Sequence, residues 1–276
     1  GTRALSLLLS QVLAPTGSGS AAGACLHEGH PLLAHTALRL PLLLSYGDRA
    51  SAKLPAISSS LARCTGARCF YCETSNYFVK SWADVALDAF AGPTSSSSVL
   101  VIILRRPLRH VLRSMVDLHW FGERGQTTGP FLYSAFDAIS LITPPPRFAS
   151  DRDMALPDKA ISMLFDVVAR QEALLTDEAA QRWPNMRTFH LDWSAVATAG
   201  VARDDALDAL STFLGLPIGP AARQTLLAQS NDRANLKAPA EHRLPVDEAE
   251  QLLRTALRDD YGHLPPELRR VIDSLI

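Results

Sequence analysis

Apolar and polar positions recur with two different periods along this chain, and the switches between them predict its elements. In "ALSLLLSQVL" the residues Leu5, Leu8, Leu9 and Val12 share one helical face, and the pattern stops before Pro15. "TGSGSAAG" reads as a loop leading into "CLHEGHP", and "HTALRLPLLLS" as a helix broken or kinked at Pro41. A clearer helix starts at Ser75, with Phe78, Trp82, Val85 and Ala89 spaced for one buried face. After a serine run comes "VLVIIL", apolar at every position, as expected of a parallel strand covered on both sides. Pro107 sits where the first turn of a helix tolerates proline, and that helix is expected to run to about His119.

Further on, "FGERGQTTGP" and "LITPPPRFASDRD" are turn-rich, with a short helix expected between them in "FLYSAFDAI". Residues 157 to about 178 form a long amphipathic pattern carrying Ile161, Leu164, Phe165 and Val168. "RTFHLDW" reads as a short strand, "DDALDALSTFLGLP" as a helix ended by Gly215 and Pro217, and residues from Val246 to about Leu257 as a further helix in the tail. Strands alternating with helices predict an α/β fold with a parallel sheet and crossover helices. The 276 residues, 47% of them hydrophobic, suit a single domain over 1–276.

Charge adds one constraint. Lys and Arg number 27 against 28 Asp and Glu, so nothing marks a nucleic-acid surface, and any cationic cluster is local. No apolar stretch is as long as a membrane span. The four cysteines, Cys25 alone and Cys64, Cys69 and Cys72 together, match no strong zinc signature, so free thiols or one disulfide are favoured over a metal site.

The candidate chemistry lies at strand ends, because ligands of an open parallel sheet bind outside the carboxyl ends of its strands. "VIILRRPLRHVLRS" places Arg105 and Arg106 at such an end and Ser114 on the helix that follows. The chain opens on Gly1 and Thr2 directly before a helix, an arrangement that offers backbone N–H groups to a phosphate-like anion. Thr2 is followed by Arg3, with no Walker lysine, which disfavours ATP chemistry. Two anion sites without that lysine suggest a nucleotide carrying phosphate groups at both ends of its ribose.

In these segments the chain resembles the sulfotransferases that use 3′-phosphoadenosine 5′-phosphosulfate (PAPS). "GTRALSLLL" is similar to the second half of their phosphosulfate loop and its helix, and "RRPLRHVLRS" to their 3′-phosphate motif, an Arg at a strand end with a Ser about eight residues later. "FHLDWSAV…LDALSTFLGLP" is similar to a further strand and helix of the family. The resemblance implies a three-layer α/β/α fold related to the P-loop NTPases, and it implies sulfuryl transfer from PAPS to a hydroxyl or amine, with no metal required. It assigns nucleotide binding to Gly1, Thr2, Arg3, Arg105 or Arg106, and Ser114. By this match the chain starts inside the phosphate loop, so the preceding strand is expected to be missing and the sheet to show exposed edges beside "VLVIIL". An upstream anchor would imply a type II protein of the Golgi lumen, and its lack a cytoplasmic one.

Transfer also needs a base for the acceptor proton. "CLHEGHP" is similar to a segment of the tyrosylprotein sulfotransferases that carries a catalytic Glu, which makes Glu28 the first choice and His27 the second. Glu73 competes, in a stretch loosely similar to glycosaminoglycan sulfotransferases, although Thr74 replaces the lysine of that motif and helix capping is the safer reading. Lys80 is expected to face solvent and Trp82 the core. Arg109 and Arg113 form a possible cationic stripe, and Asp192 is either a binding group or a cap. Carbohydrate, tyrosine, lipid and small phenols remain open as acceptors. The alternatives are a non-catalytic module of the same fold and a P-loop kinase.

Overall fold

A computed structural model describes residues 2–13, 22–27, 45–63, 69–74, 78–118, 121, 135–136, 139–224 and 243–276, leaving out the side chains of residues 2–4, 22–24 and 27. In chain order, α1 is Thr2–Val12, β1 Ala22–His27, α2 Tyr46–Ala62 and β2 Cys69–Thr74. A π-helical turn, Phe78–Trp82, leads into α3, Ala83–Phe90, followed by β3, Val99–Arg105, and α4, Leu108–Asp117. Then come α5 (Leu156–Ala173), α6 (Asp177–Arg182), β4 (Met186–Asp192), α7 (Trp193–Ala197) and α8 (Val201–Leu214). The chain ends with α9, Val246–Thr255, a second π-helical turn, Ala256–Asp260, and α10, Pro266–Leu275. The fold is mixed α/β and mostly helical, with two small parallel sheets. The chain divides into two compact units.

The first unit takes in residues 1–33, 45–105 and 181–233. Its described strands pair two by two: β1 with β2 from Ala22↔Cys69 to His27↔Thr74, and β3 with β4 from Val99↔Met186 to Arg105↔Asp192. The helical face of α1 read from the sequence is the buried one: Leu5, Leu8 and Leu9 join Leu191, Leu207, Leu210 and Phe213 in one core. Cys25, Phe70 and Cys72 from the first pair, and Ile102 and Leu104 from the second, pack against that core. A smaller cluster of Ile57, Trp82 and Ala86 lies under Tyr71, Phe78 and Phe90. The bidentate pair of Arg49 and Asp84, at 2.6 and 2.8 Å, ties α2 to α3. Helix α8 ends as expected at Gly215, whose φ of 65° is the left-handed conformation that glycine takes without a Cβ clash.

Three features of this unit go beyond the sequence reading. β1 and β2 are strands where a loop and no element were anticipated. α2 is a 17-residue helix that carries Pro55 inside it. "VLVIIL" is covered unequally on its two faces: Val101 and Ile103 are buried, Ile102 and Leu104 on the other face are partly covered by the core, and Leu100 is 37% exposed.

The second unit takes in residues 34–44, 106–180 and 234–276. Its core joins Leu112 and Met115 of α4, Ile161, Phe165 and Val168 of α5, Leu253 of α9 and Ile272 of α10, with Phe165 and Tyr261 meeting edge to face at 5.1 Å. Asp166 is fully buried and satisfied: it accepts from Leu141 N at 2.6 Å, from Ser140 Oγ at 3.2 Å and from Arg170 Nε at 2.8 Å. The Arg147 guanidinium bridges Asp158 and Asp260, at 2.8 and 2.7 Å. Residues 35–44, read as a helix, and most of 131–139 lie outside the described residues.

Candidate functional site

The junction of β3 and α4 is the segment with the strongest cationic character. β3 ends at Arg105, opposite Asp192 of β4. Arg105 is half buried and takes part in an interaction of its own. Asp192 is a cap, because its side chain accepts from Ser194 N at 2.7 Å at the start of α7.

In the second unit, Pro107 ends the extended segment at ψ 126° and α4 follows without an acidic residue in its first turn. Arg106 is exposed and makes no hydrogen bond or ion pair with any described residue. Ser114, two turns into α4, is half buried, and its hydroxyl makes no hydrogen bond with a described residue. The other two arginines are engaged. Arg109 donates to the Ile276 carbonyl and lies 3.8 Å from Glu250, while Arg113 pairs with Asp117 at 3.5 Å. Among the described residues both arginines of the stripe are thus engaged, while Arg106 beside them is not.

His110 reports the local field. Partial burial first, then the charges of Arg106, Arg109 and Arg113, hold its imidazole below the ordinary histidine value. An anion bound among these groups would reverse that push. The arrangement suits a phosphate group: one free guanidinium, a hydroxyl that can donate, and a positive potential.

A second arrangement occupies the carboxyl end of β2. Lys53 from α2 is fully buried, and its Nζ lies 2.8 Å from Oε2 and 3.1 Å from Oε1 of Glu73, which is 2% exposed. Tyr71 donates to Oε2 of the same carboxylate. Lys53 Nζ also sits 4.4 Å from the centre of the Trp82 ring. Burial pulls the Lys53 ammonium down, and Glu73 offsets part of that pull. Burial pushes the Tyr71 hydroxyl far up, with Glu73 adding to it. The π-helical turn carries Lys80, Ser81 and Trp82 inward, so Lys80 is 4% exposed rather than solvent-facing. π-Helical turns recur at functional sites.

Glu73 lies within β2, and residues 75–77, at the start of the helix it is read as capping, lie outside the described residues. Both of its oxygens are taken up and almost no solvent reaches them, so it is ill placed to accept a proton from an external acceptor. Trp82 is core, as its spacing suggests. His27 is the last residue of β1, in register with Thr74, but its side chain lies outside the described residues, as does Glu28. α1 starts at Thr2, so Thr2 and Arg3 occupy its first turn, while Gly1 and both side chains lie outside the described residues. Residues 231–237, "NDRANLK", the stretch that the sulfotransferase resemblance would assign to a nucleotide loop, lie outside them too.

Sequence reasoning missed Lys53. Its signal was the pair Lys53 and Ile57, one helical turn apart on the buried face of α2, obscured by Pro55 between them. It also missed that Cys25 and Cys72 face each other, because β1 and β2 were not recognised as neighbours.

Cys69 is disulfide-bonded, whereas Cys25 and Cys72 are free thiols. Among the described residues no group of three or more His, Cys, Asp and Glu is arranged to hold a metal, and no helix is long and apolar enough to cross a membrane. Comparison of the chain with protein-family models, with curated proteins and with solved structures gives no match.

Proposed function

We propose that this chain is a PAPS-dependent sulfotransferase with a three-layer, P-loop-like α/β/α architecture. The observation that carries the reading is the strand–Arg–Pro–helix junction, where Arg106 and Ser114 make no hydrogen bond or ion pair with a described residue and lie in a positive local field. A 3′-phosphate is the group such a pair would take. Arg106 makes no hydrogen bond or ion pair with a described residue whereas Arg105 is engaged, which favours Arg106 with Ser114 as the register of the motif. The helix beginning at Thr2 supports the reading of Gly1, Thr2 and Arg3 as the phosphosulfate end, where N–H groups of a first turn would stabilise the leaving phosphate.

The reaction is an in-line displacement. The acceptor oxygen forms a bond to sulfur as the bond from sulfur to the bridging phosphate oxygen breaks, releasing adenosine 3′,5′-bisphosphate. The acceptor proton passes to Glu28, with His27 as the second choice; the engagement of Glu73 removes the main competitor. The acceptor is a hydroxyl of a carbohydrate, tyrosine or small molecule, or less favourably an amine. No metal enters this scheme.

Calorimetric titration with adenosine 3′,5′-bisphosphate and with adenosine 5′-monophosphate tests the nucleotide assignment, and sulfate transfer from labelled PAPS to a panel of acceptors tests the chemistry. Selective binding of the bisphosphate with transfer to one acceptor class is expected. Failure to bind either nucleotide would overturn the reading. Selective binding with no transfer to any acceptor, unchanged by Glu28→Gln, would make the chain a nucleotide-binding module.

A further inference from the structure

Cys25 and Cys72 are opposite residues in the β1–β2 register, and their Sγ atoms lie 2.9 Å apart. Adjacent strands are about 4.7–4.9 Å apart, within the Cα separation of about 4.4–6.8 Å that disulfides use. The backbone therefore already meets the requirement, and small side-chain rotations would bring the sulfurs to the bonded distance of about 2.05 Å. Both thiols are free and neither is fully buried.

The surroundings give the two sulfurs different characters. Cys25 Sγ donates to the Ser6 carbonyl of α1 at 3.6 Å and lies 4.0 Å from the Ser6 hydroxyl. The hydrogen bond from Cys72 is the main influence holding the Cys25 thiol below its ordinary value; burial opposes it and Ser6 assists. Cys72 is pushed far up by the same hydrogen bond, then by burial and by the charges of Cys25 and Glu73. The two sulfurs are therefore inequivalent: Cys25 gives up its proton more readily than Cys72, the division of roles found in reactive dithiols.

We propose that Cys25 and Cys72 form a peroxide-reactive dithiol that closes into a cross-strand disulfide. The Cys25 thiolate attacks one oxygen of hydrogen peroxide, giving a sulfenic acid as the O–O bond breaks and hydroxide leaves. The Cys72 sulfur then attacks Cys25 Sγ, forming the S–S bond, and the departing hydroxide takes up the Cys72 proton as water. Overall two thiols and one peroxide become one disulfide and two waters; the sulfurs lose two electrons and the peroxide gains them. The bond ties β1, which ends at His27, to β2, whose end carries the Lys53–Glu73 pair. It stands whether or not the chain binds PAPS.

The test treats the folded, full chain with a small molar excess of hydrogen peroxide. Iodoacetamide uptake is expected to fall from two thiols to none, with loss of two hydrogens in the intact mass and a cross-link that fragmentation places between Cys25 and Cys72. The melting temperature is expected to rise by about 10 °C, the scale for closing a loop of this length. Cys25→Ser and Cys72→Ser should each abolish both the cross-link and the shift. A chain isolated with this cross-link already formed supports the same assignment. Sulfinic acid on Cys25 with Cys72 still alkylatable, two thiols surviving the treatment, or a cross-link through other cysteines would overturn it; these thiol counts need no variant to fold.

Discussion

Removing the Arg106 side chain tests ligand binding with little cost to folding, because the residue is exposed and makes no hydrogen bond or ion pair with a described residue. Arg106→Ala should therefore change stability by no more than about 0.5 kcal/mol, the scale of a surface substitution. A charge-assisted hydrogen bond to phosphate contributes about 1.5–3 kcal/mol. At about 1.4 kcal/mol per factor of ten, its loss weakens adenosine 3′,5′-bisphosphate roughly 12- to 150-fold. The 5′-monophosphate, which lacks the group that Arg106 is assigned, should bind as before. Titration calorimetry at fixed ionic strength measures both, and Arg106→Lys should fall between, since an ammonium keeps the charge but not the fork of donors. The free protein offers a second readout. Removing one of the cations that depress His110 should raise its imidazole titration toward the ordinary value, observable by NMR without nucleotide. Equal losses for both nucleotides, or none for either, would refute the assignment. A selective loss from Arg105→Ala alone would move the site by one residue.

Further outcomes test other parts of the structure. Because His110 titrates below its unfolded value, its contribution to stability is fully present above about pH 6.5 and is lost as pH falls through the folded value, so urea midpoints should drop over that acid window and His110→Gln should flatten the drop. Lys53→Met should cost about 3–5 kcal/mol by stranding the buried Glu73 carboxylate, and Lys53→Met combined with Glu73→Gln should recover much of it in denaturant titrations; additive costs would show the pair to be independent. Glu28→Gln should cut turnover by about 100-fold or more with nucleotide affinity retained; unchanged turnover, with loss from His27→Ala instead, would move the base. Gly215→Ala should lower stability by about 1 kcal/mol or more, since a Cβ is strained at a φ of 65°.

The legible parts of the fold were those with a long, unmixed period. α1, α5, α8 and α9 were read from spacing because each buries one continuous stripe, and β3 from its unbroken apolar run. β1 was missed because "AGACLH" has too few large apolar residues to show an alternation, and its place in the fold comes from pairing with β2. α2 was missed because Pro55 and the serines after it break every local helix signal; Arg49, Lys53 and Ile57 hold that helix through contacts with distant residues. The same distinction runs through the site. The strand-to-helix junction at Arg105 and Arg106 was visible as a motif, since its chemistry is contiguous in sequence. The Lys53–Glu73–Tyr71 cluster was not, because α2 and β2 meet only in the folded chain.

The register of β3 and β4 also has a consequence for how the polypeptide matures on the ribosome. β4 begins at Met186, about 80 residues after β3 ends at Arg105, and most of the second unit's chain lies in between. At about 5–20 residues per second, roughly 4–16 s pass between completion of one strand and arrival of its partner. Throughout that interval "VLVIIL" is a finished apolar strand without its hydrogen-bonding neighbour, the kind of segment that self-associates or recruits a holdase. The charges that follow it at once, Arg105 and Arg106, then act as gatekeepers against aggregation during synthesis, a duty separate from any role in the folded protein.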